Sequence, residues 1–230
     1  MDPRNQSPFN ALPPAVVGLA FVVAAIEVMF QAGEAGLAGG RDAVGWRAIA
    51  IDGWAVKAPV WDWMLANRSF PPDLLARFVT YPFLHGGFVH AAFVCVFVLA
   101  LGNVTAPALP GWRQPALFLG AAVAGALAYV VLFDTAAPLY GGYPGAYGLI
   151  GAFTLLARRG LLPRVPPERA FLLVGLLLLI QPVLGIAAGA GLAWLPDWTA
   201  DLAGAAAGYG LAALMLPGAL RAARDRMRRR

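Results

Sequence analysis

Six long apolar runs limit what this chain can fold into. They cover residues 15–37, 83–102, 115–133, 145–157, 170–191 and 199–216. A hydrocarbon core about 30 Å thick is crossed by about 20 apolar residues in a helix, and every run but the fourth approaches that length. Only 13% of the residues are charged, against about a quarter in a soluble domain. The sequence therefore predicts an all-α polytopic membrane protein with six transmembrane helices.

Basic residues are distributed unevenly around the predicted spans and orient them. The link between the fourth and fifth spans carries four arginines, and the last ten residues carry six more. Because basic loops stay in the cytoplasm, we predict that both termini are cytoplasmic. The corresponding domains are an N-terminal segment at 1–14, a membrane domain at 15–217 and a basic tail at 218–230. Arginine outnumbers lysine sixteen to one, which favours a GC-rich bacterial genome and hence the bacterial inner membrane.

The first loop, at residues 39–77, is rich in tryptophan. It contains four of the seven tryptophans, Trp46, Trp54, Trp61 and Trp63. Tryptophan prefers the boundary between membrane and water, so we predict short amphipathic helices at the outer membrane interface. The alternative is a solvated loop that uses its tryptophans to fold.

Several kinds of partner and cofactor are disfavoured. The net charge of +5 is concentrated in the tail, which fits a membrane flank better than a nucleic-acid surface. Cys95 is the single cysteine and excludes an intrachain disulfide. His85 and His90 are the two histidines, with no cysteine or carboxylate pattern around them that is typical of a metal site. We predict no cofactor and no metal, and we expect membrane lipid and transmembrane segments as partners.

One segment carries a family resemblance. The run RFVTYPFLHGGFVHAAFVCVFVLALGN, from Arg77 to Asn103, resembles the rhomboid family of intramembrane serine proteases, with Arg77, Thr80, His85 and His90 at the family's spacing. The fourth span resembles the family's Gly-x-Ser-Gly helix. ADLAGAAAG in the sixth span resembles Ala-His-x-x-Gly-x-x-x-Gly. The resemblance implies a six-helix rhomboid-like fold with a membrane-interfacial first loop.

The family's catalytic residues do not carry over. Rhomboids use a serine on the fourth helix and a histidine on the sixth, with a histidine and an asparagine of the second helix in the oxyanion hole. The resemblance places Asp201 at the base position and Val94 at the asparagine position, while His90 is retained. The serine position falls, depending on the alignment, on one of three residues: Tyr143, Pro144 or Tyr147.

The chain has only two serines, Ser7 and Ser69, and neither lies in the fourth span. A hydroxyl is a poor nucleophile until a neighbouring base takes its proton. We therefore predict an inactive homologue, a rhomboid pseudoprotease. Asp201, together with Thr199, is interpreted as capping the first turn of the sixth helix. A polar contact of Asp201 with His90 or a tyrosine, or a new catalytic role, are the alternatives.

Small residues predict how the helices pack. Three glycines of the fourth span and two of the sixth lie at helical spacing: Gly145, Gly148, Gly151, Gly204 and Gly208. Such residues let two helix backbones approach closely within a membrane. We expect the fourth and sixth helices to be in close contact.

Glu27 and Gln31 lie four residues apart in the first span, so they share a helix face. An ionisable residue inside a membrane is costly and suggests a function. Glu27 either forms a hydrogen bond to a neighbouring helix or faces a polar group of a partner protein.

The sequence is consistent with three functions. The favoured one is a pseudoprotease that binds transmembrane helices of client proteins through the opening beside the second and fifth helices. The next is a fixed subunit of a larger membrane complex. The third is a rhomboid-type serine endopeptidase, as the family label would imply. The sequence leaves the client, the oligomeric state and the target of the basic tail open.

Overall fold

The chain folds into a bundle of helices joined by short links. The computed structural model describes residues 12–162 and 165–216. Within these residues there are nine α-helices: α1 (Pro14–Glu34), α2 (Trp46–Trp54), α3 (Ala58–Asn67), α4 (Pro72–Thr80), α5 (Phe88–Thr105), α6 (Arg113–Leu132), α7 (Tyr143–Arg158), α8 (Leu172–Ala187) and α9 (Leu195–Met215). The predictions for residues 1–11, for Arg164 and for the basic tail lie outside the described residues.

The six predicted spans correspond to α1, α5, α6, α7, α8 and α9. Three of these helices, α1, α5 and α6, and the segment Pro167–Ala187 that contains α8 are long and apolar enough to cross a membrane. The other two, α7 and α9, are shorter or more polar and pack tightly together. The structure confirms an all-α, multi-pass membrane protein.

Two of the predicted starts are wrong, and the fifth span ends at Ala187 rather than at residue 191. The second span begins at Phe88 rather than at residue 83, because Tyr81–Phe83 forms a 3-10 turn and the chain stays extended up to Gly87. The sixth begins at Leu195 rather than at residue 199, with Pro196 in its first turn, where a missing N–H costs nothing.

Helix α7 lies at the centre of the bundle. It contacts α5, α6, α8 and α9, and most of its residues are buried. The helices around it expose large apolar side chains on their outer surfaces, for example Phe21 on α1 and Leu179 on α8. A water-soluble protein rarely exposes such a continuous apolar surface, so these surfaces face lipid. The buried core therefore lies around α7.

The first loop contains three short helices, α2, α3 and α4, as predicted. Trp61 packs edge-on against Phe78 of α4, with ring centroids 5.7 Å apart, while Trp54 and Trp63 stay close to half exposed. The loop is joined to the segment before α7 by a single antiparallel bridge between Val56 and Leu139. The loop thus combines a small core with exposed indoles, and its place at the membrane interface stays a prediction.

Candidate functional site

A cavity of about 530 Å³ lies among α5, α7, α8 and α9. Phe93 and Phe97 of α5 form one apolar wall, and Leu177, Ile180 and Leu184 of α8 form the opposite one. Helices α5 and α8 do not pack closely against each other within the described residues. The cavity therefore separates these two helices.

The acidic end of the cavity is formed by Asp201, which is only 3% exposed. The side-chain amide of Gln181, on α8, donates a hydrogen bond of 2.6 Å to the Oδ2 atom of Asp201. The prediction that Asp201 and Thr199 cap the first turn is wrong, because α9 begins at Leu195 and Asp201 lies more than a turn inside it. The direct partner of Asp201 is thus Gln181 rather than His90 or a tyrosine.

Tyr147 extends this polar contact to α7. The amide of Gln181 also donates to the Tyr147 hydroxyl, at 3.4 Å, and that hydroxyl donates to the carbonyl of Leu177, at 3.0 Å. Since both partners belong to α8, the hydroxyl of Tyr147 fixes α8 to the centre of the bundle. It is therefore occupied by structural hydrogen bonds.

His90 lies at the aromatic end of the cavity. Its ring stacks on that of Tyr143, with centroids 4.8 Å apart and planes at 23°, and the ring of Tyr140 is 6.4 Å away. The Nε2 atom is buried and has no hydrogen-bond partner among the described residues. Gly141 makes room for the ring: its φ is +103°, and a Cβ atom there would lie 2.6 Å from His90. The imidazole is thus held by stacking.

The three candidates for the serine position lie at the start of α7 and line the cavity. Tyr143 and Pro144 are its first two residues, and Tyr147 follows one turn later. Val94, which the sequence resemblance aligns with the family's asparagine, is fully buried, and a Cβ atom on Gly142 would lie 2.7 Å from its Cγ1 atom. None of these four residues supplies an aliphatic hydroxyl or an amide to the cavity.

His85 lies behind His90 and joins the cavity to the first loop. The backbone N–H of Gly142 donates to its Nε2 atom at 3.3 Å, and the Arg47 guanidinium donates to its carbonyl at 2.6 Å. Burial, reinforced by the adjacent His90, lowers the pKa of His85 to about 4. A neutral ring that accepts at Nε2 carries its proton on Nδ1. His85 is therefore a neutral, structural histidine.

The other two residues of the family motif lie away from the cavity. Arg77 donates to the carbonyls of Asp52 and Ala55, both at 3.4 Å. The hydroxyl of Thr80 reaches the carbonyl of Trp54 at 3.3 Å. All three carbonyls belong to the C-terminal end of α2 and the residue after it, where helical carbonyls lack partners. The Arg-x-x-Thr motif thus holds the first loop in place.

The glycines lie where backbones meet. A Cβ atom would lie 2.0 Å from the carbonyl oxygen of Ala205 if placed on Gly151, and 2.0 Å from that of Gly148 if placed on Gly208. On Gly204 it would lie 2.2 Å from the carbonyl oxygen of Pro144. Helices α7 and α9 are therefore in backbone contact.

Gly145 differs from the other glycines of α7. A Cβ atom on it would meet the ring of Phe118, on α6, at 2.7 Å. One on Gly148 would lie 2.2 Å from the Cβ atom of Ala121, also on α6, as well as 3.5 Å from the carbonyl oxygen of Gly204. The glycines of α7 thus serve two neighbouring helices, α6 and α9.

Glu27 is paired within the chain. It is 3% exposed, and the Arg47 guanidinium donates to both its oxygens, at 2.8 and 2.9 Å. Gln31 adds a third hydrogen bond of 2.8 Å, and Arg47 also binds Glu34 at 2.7 Å. The hydrogen bonds to Glu27 and Glu34 raise the pKa of Arg47, so its charge is permanent. Of the two alternatives for Glu27, these contacts support hydrogen bonding within the chain, because both carboxylate oxygens are already bound.

Two residues of these networks were missed by sequence reasoning. The sequence did contain a signal for Gln181, since it is the one polar side chain in the apolar run 170–191 and polar residues inside a membrane are rarely without a role. The sequence contained no signal for the pairing of Arg47 with Glu27, because Arg47 lies 20 residues from Glu27 in a loop of mixed charge. Within the described residues no group of three or more His, Cys, Asp or Glu side chains is placed to hold a metal ion.

The fold and the cavity define a multi-pass helical membrane protein with polar groups enclosed among its spans. The Rhomboid domain matches residues 72–218, and the chain belongs to the rhomboid family, a family of intramembrane serine proteases. This match covers α4 to α9 and so includes every helix that lines the cavity. A comparison with curated proteins finds no significant match.

Proposed function

We propose that this protein is a rhomboid pseudoprotease of the bacterial inner membrane, with both termini in the cytoplasm, and that it binds transmembrane helices of client proteins without cleaving them. The observation that carries the proposal is the cavity between α5 and α8. It is lined by apolar side chains, tyrosines and Asp201, and none of its described lining residues is a serine.

The residues of the cavity do not support peptide hydrolysis by the family's mechanism. That mechanism needs a hydroxyl nucleophile beside a base and donors for the oxyanion. Ser69 follows the end of α3 in the first loop and does not line the cavity, and Ser7 lies outside the described residues. The hydroxyl of Tyr147 is bound to α8, and Asp201 faces Gln181. These contacts favour a structural role for the residues that the resemblance aligns with the family's catalytic positions.

The walls of the cavity favour lateral entry of a helix. Helix α8 contacts α7 and α9 but buries none of its described side chains fully, so it is the most weakly held of the spans. On the other wall, Phe93 is about half exposed. A client helix that entered between α5 and α8 would cover these apolar side chains and reach Gln181 and Asp201. The binding of a helix in an apolar groove is a common recognition mode.

Site-directed photo-crosslinking in native membranes tests this proposal. Benzoyl-phenylalanine replaces Phe93, at the opening of the cavity, or Phe21, which is exposed on the outer surface of α1. We expect Phe93 to capture several membrane proteins that Phe21 does not, each in substoichiometric amount, as identified by quantitative mass spectrometry.

Other outcomes of the same experiment would overturn the proposal. One stoichiometric partner, captured equally at both positions, would indicate a fixed subunit of a larger complex. Captured helices that are cut, together with cleavage of transmembrane substrates by the purified protein in liposomes, would establish an endopeptidase.

A further inference from the structure

The cavity contains acidic groups without a basic counterpart. Asp201 lies in its depth and Asp197, which is exposed, at its rim. None of the described residues that line the cavity is lysine or arginine. The structure gives Asp201 a single hydrogen-bond donor, the amide of Gln181, on Oδ2. A carboxylate accepts about four hydrogen bonds, so Asp201 has acceptor capacity left in an apolar environment.

A second carboxylate of the same protein shows what such a group binds. Glu27 is buried as deeply as Asp201, and it is paired with the guanidinium of Arg47 in addition to the amide of Gln31. Asp201 has the amide and lacks the cation among the described residues. A positive charge is therefore the component that Glu27 has and Asp201 lacks among the described residues, and ionisable residues within a membrane commonly pair with one another.

The aromatic residues of the cavity suit a cation as well. Tyr140, Tyr143 and Tyr147 line the cavity together with His90. The faces of aromatic rings attract lysine and arginine side chains, and this attraction is strongest where water is excluded. Carboxylates and tyrosine rings in the lining of one cavity form a site that favours a cation over an anion or an aliphatic side chain.

We infer that the cavity recognises client helices that carry a lysine or arginine within their membrane segment, with the basic group bound between Asp201 and the tyrosines. This inference rests on the proposed function and adds a substrate class to it. Asp201 lies six residues after the start of α9, which is about 9 Å along the helix. The basic residue of a client should therefore enter at a similar depth from that end of the bundle.

Synthetic transmembrane peptides test the inference on the full-length protein in phosphatidylglycerol nanodiscs. Each peptide is an apolar helix with one photo-reactive residue, and it carries leucine, lysine or acetyl-lysine at a position about 9 Å from the non-cytoplasmic end. Acetylation removes the charge and keeps the length of the side chain. We expect the lysine peptide to crosslink about fivefold more than the other two. Asp201→Asn, checked for folding by size-exclusion chromatography, should remove that excess.

The outcomes distinguish a failure of this inference from a failure of the proposed function. Equal crosslinking of all three peptides would overturn the inference and leave helix binding intact. Equal crosslinking of the lysine and acetyl-lysine peptides, above leucine, would show recognition by hydrogen bonding and would also overturn it. Because that comparison uses the unmodified protein, it holds even if Asp201→Asn does not fold. No crosslinking to the cavity by any peptide would contradict the proposed function itself.

Discussion

The guanidinium of Arg47 and the carboxylate of Glu27 form a two-point ion pair, with N–O distances of 2.8 and 2.9 Å. This pair joins α2, in the first loop, to the middle of α1, and both side chains are at least nine-tenths buried. Removal of Glu27 leaves the buried guanidinium with only the partly exposed Glu34 as a counter-ion, and a buried charge that loses its buried partner is costly. Glu27→Leu should lower the free energy of unfolding by about 3 kcal/mol, as measured in mixed micelles of dodecylmaltoside and SDS.

Glu34 provides the matched control for this prediction. It binds the same guanidinium but is 38% exposed, so water replaces the lost contact. Glu34→Leu should cost no more than about 1 kcal/mol. The double variant Glu27→Leu/Arg47→Met should be more stable than Glu27→Leu alone, since it removes the buried charge that has lost its buried partner. A folded, fully stable Glu27→Leu protein would show that the ion pair does not hold the first loop.

The backbone contact between α7 and α9 leaves no room for a single methyl group. Gly151→Ala would place its Cβ atom 2.0 Å from the carbonyl oxygen of Ala205 and 2.8 Å from the nitrogen of Tyr209. Both atoms belong to a helix backbone that cannot rotate away. We expect a loss of about 3 kcal/mol or more, visible as aggregation in size-exclusion chromatography and as unfolding at lower SDS fractions.

Gly210→Ala tests whether that effect comes from packing. It lies on α9, and no atom of another element comes within 4 Å of the position that a Cβ atom would take there. Alanine is a better helix former than glycine by up to about 1 kcal/mol, so this variant should match or exceed the wild-type stability. If Gly151→Ala and Gly210→Ala behaved alike, close packing of α7 on α9 would not be the cause.

The helical spans were largely predictable from the sequence because the membrane imposes their length. All six positions follow from apolar runs, including α7, whose 16 residues are short for a span. The two wrong starts have local causes. Gly86 and Gly87 precede α5 in an extended segment, and Pro196 marks the first turn of α9. These are ordinary start signals for helices that hydropathy alone does not register.

The side-chain partners in the site were less predictable. The pattern identified Glu27 and Asp201 as polar groups within apolar runs, but their partners come from elsewhere in the chain. Arg47 reaches Glu27 only because α2 folds back against α1, and Gln181 reaches Asp201 only because α8 packs on α9. A one-dimensional pattern shows that a buried charge needs a partner, whereas the tertiary structure decides which one it is.

Acid should destabilise this protein through His85. Its pKa is about 4 in the folded protein, where burial and the neighbouring His90 and Arg47 oppose a positive charge and Glu27 only partly offsets them. In the unfolded chain it is about 6.5. Below pH 6.5 the unfolded state therefore binds a proton that the folded state does not, and stability falls as the pH falls towards 4. We expect a loss of about 2 kcal/mol between pH 7 and pH 5, measured by SDS titration.

His85→Gln isolates this contribution. Glutamine places an oxygen near the position of Nε2, so it still accepts the N–H of Gly142, but it does not titrate. The variant should show a flatter dependence of stability on pH over the same interval, whatever its absolute stability. An unchanged slope would assign the acid sensitivity to other groups.

Two adjacent residues of α8 separate the cavity from the lipid-facing surface. Ile180 lines the cavity, whereas Leu179 does not line it and is exposed on the same helix. Ile180→Trp fills part of the space between α5 and α8, and Leu179→Trp adds the same indole on the outside.

If client helices enter between α5 and α8, Ile180→Trp should reduce photo-crosslinking from position 93 by about tenfold, which corresponds to about 1.4 kcal/mol of lost binding. Leu179→Trp should leave the crosslinking unchanged. Equal crosslinking in both variants would place the binding surface outside the cavity, because only the first variant changes its interior.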